Sequence, residues 1–69
     1  MNSHVYGMLE LTGSSTDSVE HAVKTALATA GETTKHMDWF EVVETRGEIK
    51  NNDVAFWQVT VKIGHRIDE

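Results

Sequence analysis

An indole and a primary amide are the groups in this sequence best suited to holding a small molecule, and they occur as Trp39 and Gln58. The indole is the flattest electron-rich surface a protein has for another flat ring. The amide offers both a donor and an acceptor to the edge of a heterocycle. Other chemistries are poorly supplied. With Cys 0 there is no thiol nucleophile, no disulfide and no thiolate zinc site. His4, His21, His36 and His65 never recur at the H-x-x-H or H-x-x-x-H spacing of a metal pair, so no metal ligand set is read from them. No Ser-His-Asp arrangement stands out. Glu41, Glu44 and Glu48 lie among apolar residues along one strand, where solvated or cross-strand-paired carboxylates are the ordinary reading. Like carboxylates from several subunits could still meet on a symmetry axis and hold an ion. An exposed tryptophan is also ordinary material for a subunit contact, and Gln58 an ordinary solvated strand residue.

The size of the chain favours an assembly. A domain of 69 residues buries only about 60% of the surface its unfolded chain exposes. Without disulfides, self-association is the leading supplement. The balance of Lys+Arg 6 against Asp+Glu 11, net charge -5, argues against nucleic acid, whose binders cluster basic residues. No stretch approaches membrane-spanning length. The first residues carry no basic leader before an apolar run, and with the missing cysteines this is the pattern expected of a cytoplasmic protein.

Those two side chains have to be positioned by a short series of elements. HVYGMLEL, closed by Gly13, reads as a strand over residues 4–11. Ser14, Ser15, Thr16 and Asp17 are all N-cap types, and Glu20 stands three residues after Asp17, as in a capping box. Val19, Ala22, Val23, Ala26, Leu27 and Ala30 then trace one face of an amphipathic helix, small enough to lie close on a sheet. Gly31 is a natural stop, although residues 32–36 could add a turn. MDWFEVVETRGEI and VAFWQVTVKIGHRI read as two strands joined by Lys50, Asn51, Asn52 and Asp53.

The expected fold is α+β: one β-α-β-β domain over residues 1–69, with a three-stranded antiparallel sheet packed on one helix. Pairing Ile49 with Val54 sets Phe40 opposite Ile63, Val42 opposite Val61 and Arg46 beside Trp57, all on the helix side. The other face then carries Trp39 opposite Gly64, Glu41 opposite Lys62, Val43 opposite Thr60, Thr45 opposite Gln58 and Gly47 opposite Phe56. A lone helix cannot cover both faces, so Trp39, Val43 and Phe56 stay open. Trp39 and Gln58 fall about six residues apart, roughly 20 Å at about 3.3 Å per residue. If both serve one ligand, two subunits must share the site.

The segments DWFEV, E-x-RG-x-I and QVT-x-K-x-G, in that order and preceded by HVYGMLELTGSSTDSVEHAV, resemble the dodecin family over essentially the whole chain. The resemblance implies a hollow homododecamer binding paired flavins, FMN or riboflavin with FAD as a further candidate, between tryptophans of symmetry-related subunits. By motif position that tryptophan is Trp39. The glutamine that hydrogen-bonds the pyrimidine side of the flavin falls on Gln58, and the arginine near the flavin on Arg46, which the register above turns to the other face. Gly7 stands where a basic residue is frequent, Thr34 and His36 where leucine and asparagine are common, and His65 where phenylalanine is usual. These departures bear on which flavin is preferred and on coenzyme A as a second ligand, which uses basic surface residues.

Three functions follow as expectations. The first is storage, buffering and photoprotection of flavin, with no catalysis. The second is a structural or protein-binding module in which Trp39 seals an interface. The third is a small flavin-dependent enzyme, disfavoured because no acid, base or nucleophile is evident.

Overall fold

In the computed structural model, which describes residues 3–67, the chain runs β1 (Tyr6–Ser15), α1 (Val19–Gly31), β2 (Met37–Lys50) and β3 (Asp53–Arg66). The three strands form one antiparallel sheet in the order β1-β3-β2. The expected β-α-β-β architecture is therefore present. Asn51 and Asn52 reverse the chain between β2 and β3, both with positive φ (55° and 64°). That is the backbone of a two-residue type I′ hairpin, which asparagine tolerates better than most residues.

β1 runs on past Gly13 to Ser15. Gly13 is thus not a strand terminator. It lies buried where α1 crosses β1, and a Cβ there would run into the Ala22 carbonyl oxygen and lie 2.9 Å from the Ala26 nitrogen. The helix begins one residue later than a cap at Asp17 would start it. Ser18 is the N-cap, its hydroxyl accepting the His21 N–H at 3.0 Å. The Asp17 N–H is already used by Ser15 Oγ at 2.9 Å, so the chain is still turning at that residue. At the other end the helix stops at Gly31, and Glu32 adds only a tight closing bond to Thr29.

The core is small. Ala22, Val23, Ala26 and Ala30 press on Val59, Val61 and Ile63, with Leu9, Leu11, Val19, Leu27 and Met37 around them. The alanines let the helix axis come close to the sheet, which is why Val59, Val61 and Ile63 of β3, the central strand, are fully buried on this side. The helix packs on β1 and β3. Phe40 and Val42 of β2 were expected beneath it, but they stay 45% and 47% exposed. They border an apolar cleft with Val23 and Leu27, rimmed by Glu20 and Lys24.

The expected register holds at both ends of the hairpin and fails in its middle. Trp39 faces Gly64, Phe40 faces Ile63, Glu41 faces Lys62, Val42 faces Val61 and Ile49 faces Val54. Between these ends the pairing shifts by one residue, entering after Val42 and leaving after Glu48. Val43 and Ala55 are the extra residues, one on each strand. Two such bulges cancel in length but invert the faces of everything between them. Thr45 therefore faces Val59, Arg46 faces Gln58 and Gly47 faces Trp57.

Candidate functional site

The outer face of the sheet, away from the helix, carries the alternate residues of β3: Phe56, Gln58, Thr60, Lys62 and Gly64. Gly64 is the floor for Trp39. A Cβ on Gly64 would occupy the position of the Trp39 benzo ring, so the indole lies directly on the strand backbone. Glycine is needed here for that close approach and not for its φ angle, since no glycine has positive φ. Tyr6, from the start of β1, meets the indole edge-on with ring centroids 4.9 Å apart and planes at 61°. This is the favourable T-shaped geometry of two aromatic quadrupoles. The indole is thus braced by backbone beneath and by a phenol ring at one side, while Trp39 remains 43% exposed.

The other end of the same face holds Arg46 and Gln58. The Arg46 Nε–H donates to Gln58 Oε1 at 2.9 Å. The conflict between motif and register over Arg46 is resolved by the bulge at Val43, which turns it outward beside the glutamine. The bond also orients the amide: with its oxygen toward Arg46, Gln58 directs its NH2 group away from the guanidinium. Between the two ends lie Thr12 and Thr60, whose hydroxyls meet at 2.7 Å, and Lys62, flanked across the sheet by Glu10 and Glu41.

Of the three residues expected in the site, the structure brings Arg46 and Gln58 together and leaves Trp39 apart, about 20 Å away by six residues of strand. Among the described residues of one chain, nothing encloses a ring beside Trp39, which is 43% exposed. Trp39 also borders a depression on the helix side, lined by Leu27, Met37, Asp38, Phe40 and Ile63, which measures about 160 Å³, below the roughly 300 Å³ at which small-molecule pockets begin. The expected site residues therefore lie in two separate places on the outer face of one chain.

Tyr6 was not singled out from sequence. Its signal was the pairing of β1 with β3, which sets Tyr6 opposite Arg66, two residues from Gly64. A second unanticipated pair is Ser15 and His21, with Oγ 2.7 Å from Nδ1. The distance suits a nucleophile and its base, but Ser15 is only 6% exposed. Its oxygen already accepts the N–H groups of Asp17 and Ser18. The hydroxyl proton therefore points at His21, and the pair fixes the turn into α1. His65 and Gly7, two departures from the dodecin pattern, prove to be partners: the imidazole lies over Gly7, 2.8 Å from where its Cβ would be. No group of three histidines, aspartates or glutamates among the described residues is placed to hold a metal ion. No described helix is long and apolar enough to cross a membrane.

The fold is shared with known proteins. The chain is 45% identical over 65 residues to the dodecin of Thermus thermophilus, covering 94% of each. The solved dodecin of Streptomyces coelicolor superposes with a TM-score of 0.93 at 43% identity, covering 100% of this chain and 99% of that one. The dodecin of Streptomyces davaonensis does so with a TM-score of 0.93 at 40% identity, covering 99% and 100%. The family model named Dodecin matches residues 5–68. Over nearly its whole length, then, this chain belongs to the dodecin family, a group of small oligomeric proteins that are not enzymes.

Proposed function

We propose that this protein is a non-catalytic flavin store: a homododecamer that stacks paired riboflavin or FMN molecules between Trp39 side chains of neighbouring subunits, buffering free flavin and shielding it from light. The observation that carries the reading is the seating of Trp39 on Gly64. It holds the indole against strand backbone while 43% of Trp39 stays exposed. Flat rings stack well in offset geometry, and each such contact contributes roughly 0.5–1.5 kcal/mol beyond area burial. An indole in contact with a photoexcited flavin quenches it by electron transfer, which is the physical basis of the photoprotection.

Gln58 supplies the second requirement. Held by Arg46, its NH2 group is set to donate to a carbonyl on a flavin edge, and the roughly 20 Å separation from Trp39 favours a second subunit as the source of that contact. The Arg46 guanidinium supports the amide and adds positive charge beside an FMN phosphate. FAD fits the same stacking chemistry, and coenzyme A is a further candidate ligand, although Gly7 stands at a position where a basic residue is frequent. A cytoplasmic setting, where flavin cofactors are made and used, suits this role.

Oligomer formation has its own surface. Phe40 and Val42, bare on the helix side of β2, and the cleft they form with Val23 and Leu27 provide an apolar contact region. Trp39, on the opposite face, is therefore not required to seal that contact, which favours a ligand platform over a purely structural role. Titrating riboflavin into ligand-free protein tests the proposal. Its fluorescence is expected to fall to a plateau at a fixed flavin-to-subunit ratio, and Trp39→Ala to abolish the plateau. Sedimentation should give about 92 kDa, twelve chains of 7.7 kDa. Unchanged flavin affinity in Trp39→Ala removes Trp39 from the site.

A further inference from the structure

Tyr6 is the one tyrosine of the chain, and its ring touches Trp39 edge-on at 4.9 Å between centroids. We propose that Tyr6 is a built-in electron donor to Trp39, so that an oxidised indole is refilled from the phenol before it reacts irreversibly. Electron transfer between side chains weakens steeply with distance, and two rings in van der Waals contact are as strongly coupled as such a pair can be. The phenol is the easier of the two to oxidise at neutral pH, provided that its proton can leave. Tyr6 is 39% exposed, which gives that proton a path to water.

The step balances as follows. A one-electron oxidant removes an electron from the Trp39 indole and leaves a radical cation. One electron passes from the Tyr6 ring to that cation, and the O–H proton passes to water. Trp39 is restored to its closed-shell form, and the unpaired electron resides on a neutral phenoxyl radical at Tyr6. In the proposed flavin site the oxidant is the photoexcited flavin, which takes the single electron. The protective role rests on that flavin reading; the transfer itself rests on the ring contact alone.

The other tryptophan supplies an internal contrast. Trp57 pairs with Ser15 and Gly47 near the hairpin end of the sheet. It is nine residues along β3 from the partner of Tyr6, on the order of 30 Å. An electron leaving Tyr6 thus has a contact path to one indole and none to the other.

Pulse radiolysis with the azide radical, a soluble one-electron oxidant of indoles, tests this on the assembled protein without flavin. The indolyl absorption is expected to decay at a rate independent of protein concentration, while phenoxyl absorption grows at the same rate. Tyr6→Phe, which keeps the ring and removes the donor, should lose the growth phase and leave a long-lived indolyl radical. Trp57→Phe should retain both phases. The proposal is overturned if the wild-type protein shows no phenoxyl growth, or if the growth persists unchanged in Trp39→Phe. Illuminated flavin-loaded protein adds a second readout, in which mass spectrometry should locate more oxidised Trp39 in Tyr6→Phe than in wild type. A protein that fails to bind flavin would end the storage reading and leave the radiolysis result standing.

Discussion

Gly13 and Gly64 each mark a place where a methyl group has no room, but they lie on opposite faces of the sheet. At Gly13 the obstacle is the backbone of α1, at Ala22 and Ala26. At Gly64 it is the aromatic ring of Trp39. The first glycine lets a helix settle onto the chain's small core, so it belongs to folding. The second lets an indole settle onto the outer face of a strand that also carries Gln58, Thr60 and Lys62, so it belongs to the proposed site. Stability and the proposed binding are separated by the thickness of one sheet, and each face can be perturbed with the other as its control.

The largest expected effect is on the inner face. Gly13→Ala drives a methyl into helix backbone that cannot swing aside, and should cost about 3 kcal/mol, the upper end of ordinary overpacking. The measurement is the unfolding midpoint at fixed protein concentration, because assembly and folding are linked. A midpoint shift of under about 1 kcal/mol would show that the helix can retreat from the sheet. Next comes Gly64→Ala, which should displace the indole and weaken riboflavin affinity by about 2 kcal/mol, roughly thirtyfold, with a smaller change in unfolding midpoint. An affinity equal to wild type would mean that the indole's seat on the strand is irrelevant to binding.

Smaller effects sharpen the contrast. Gln58→Ala removes one hydrogen bond toward the ligand and should cost about 1 kcal/mol, roughly fivefold in affinity. Because Arg46 donates to that amide, Arg46→Ala and Gln58→Ala should combine less than additively in a double-mutant cycle. Strict additivity would show that the pair does not act as a unit at the site. The smallest effect concerns the entry to β2. His36 holds φ at 61°, a conformation with a steric cost for any residue carrying a Cβ. His36→Gly should gain up to about 0.5 kcal/mol in stability and leave flavin affinity unchanged.

Much of the fold could be read from residues alone because its signals are periodic. The alternation over Trp39 to Val42 fixed which way each side chain points. The Val19-Ala22-Val23-Ala26 spacing placed the helix face, and two adjacent asparagines marked the hairpin tip. What escaped were features that break periodicity without leaving a distinct residue signature. The bulge at Val43 follows another valine and either can point inward, so the residues alone turn Arg46 to the wrong face, which only the strand pairing reveals. Gly13 looked like a strand end because glycine punctuates chains, whereas here it makes space for the helix. Five consecutive cap-forming residues, Ser14 to Ser18, left the helix start degenerate until Ser15 was seen to be engaged with Asp17 and His21. Tyr6 could not be linked to Trp39 at all without knowing that β1 lies against β3, since the contact spans 33 positions of sequence.

The seat of Trp39 has a kinetic consequence. Because strand backbone already covers the underside of the indole in the empty chain, an arriving ring has only the upper surface to strip of water, and no side chain must first swing into place. Little reorganisation then separates vacant from occupied forms, so loading and unloading should track the surrounding concentration of the guest without a slow conformational gate. The flavin store proposed above, which has to fill and drain on demand, is well served by a platform of that kind.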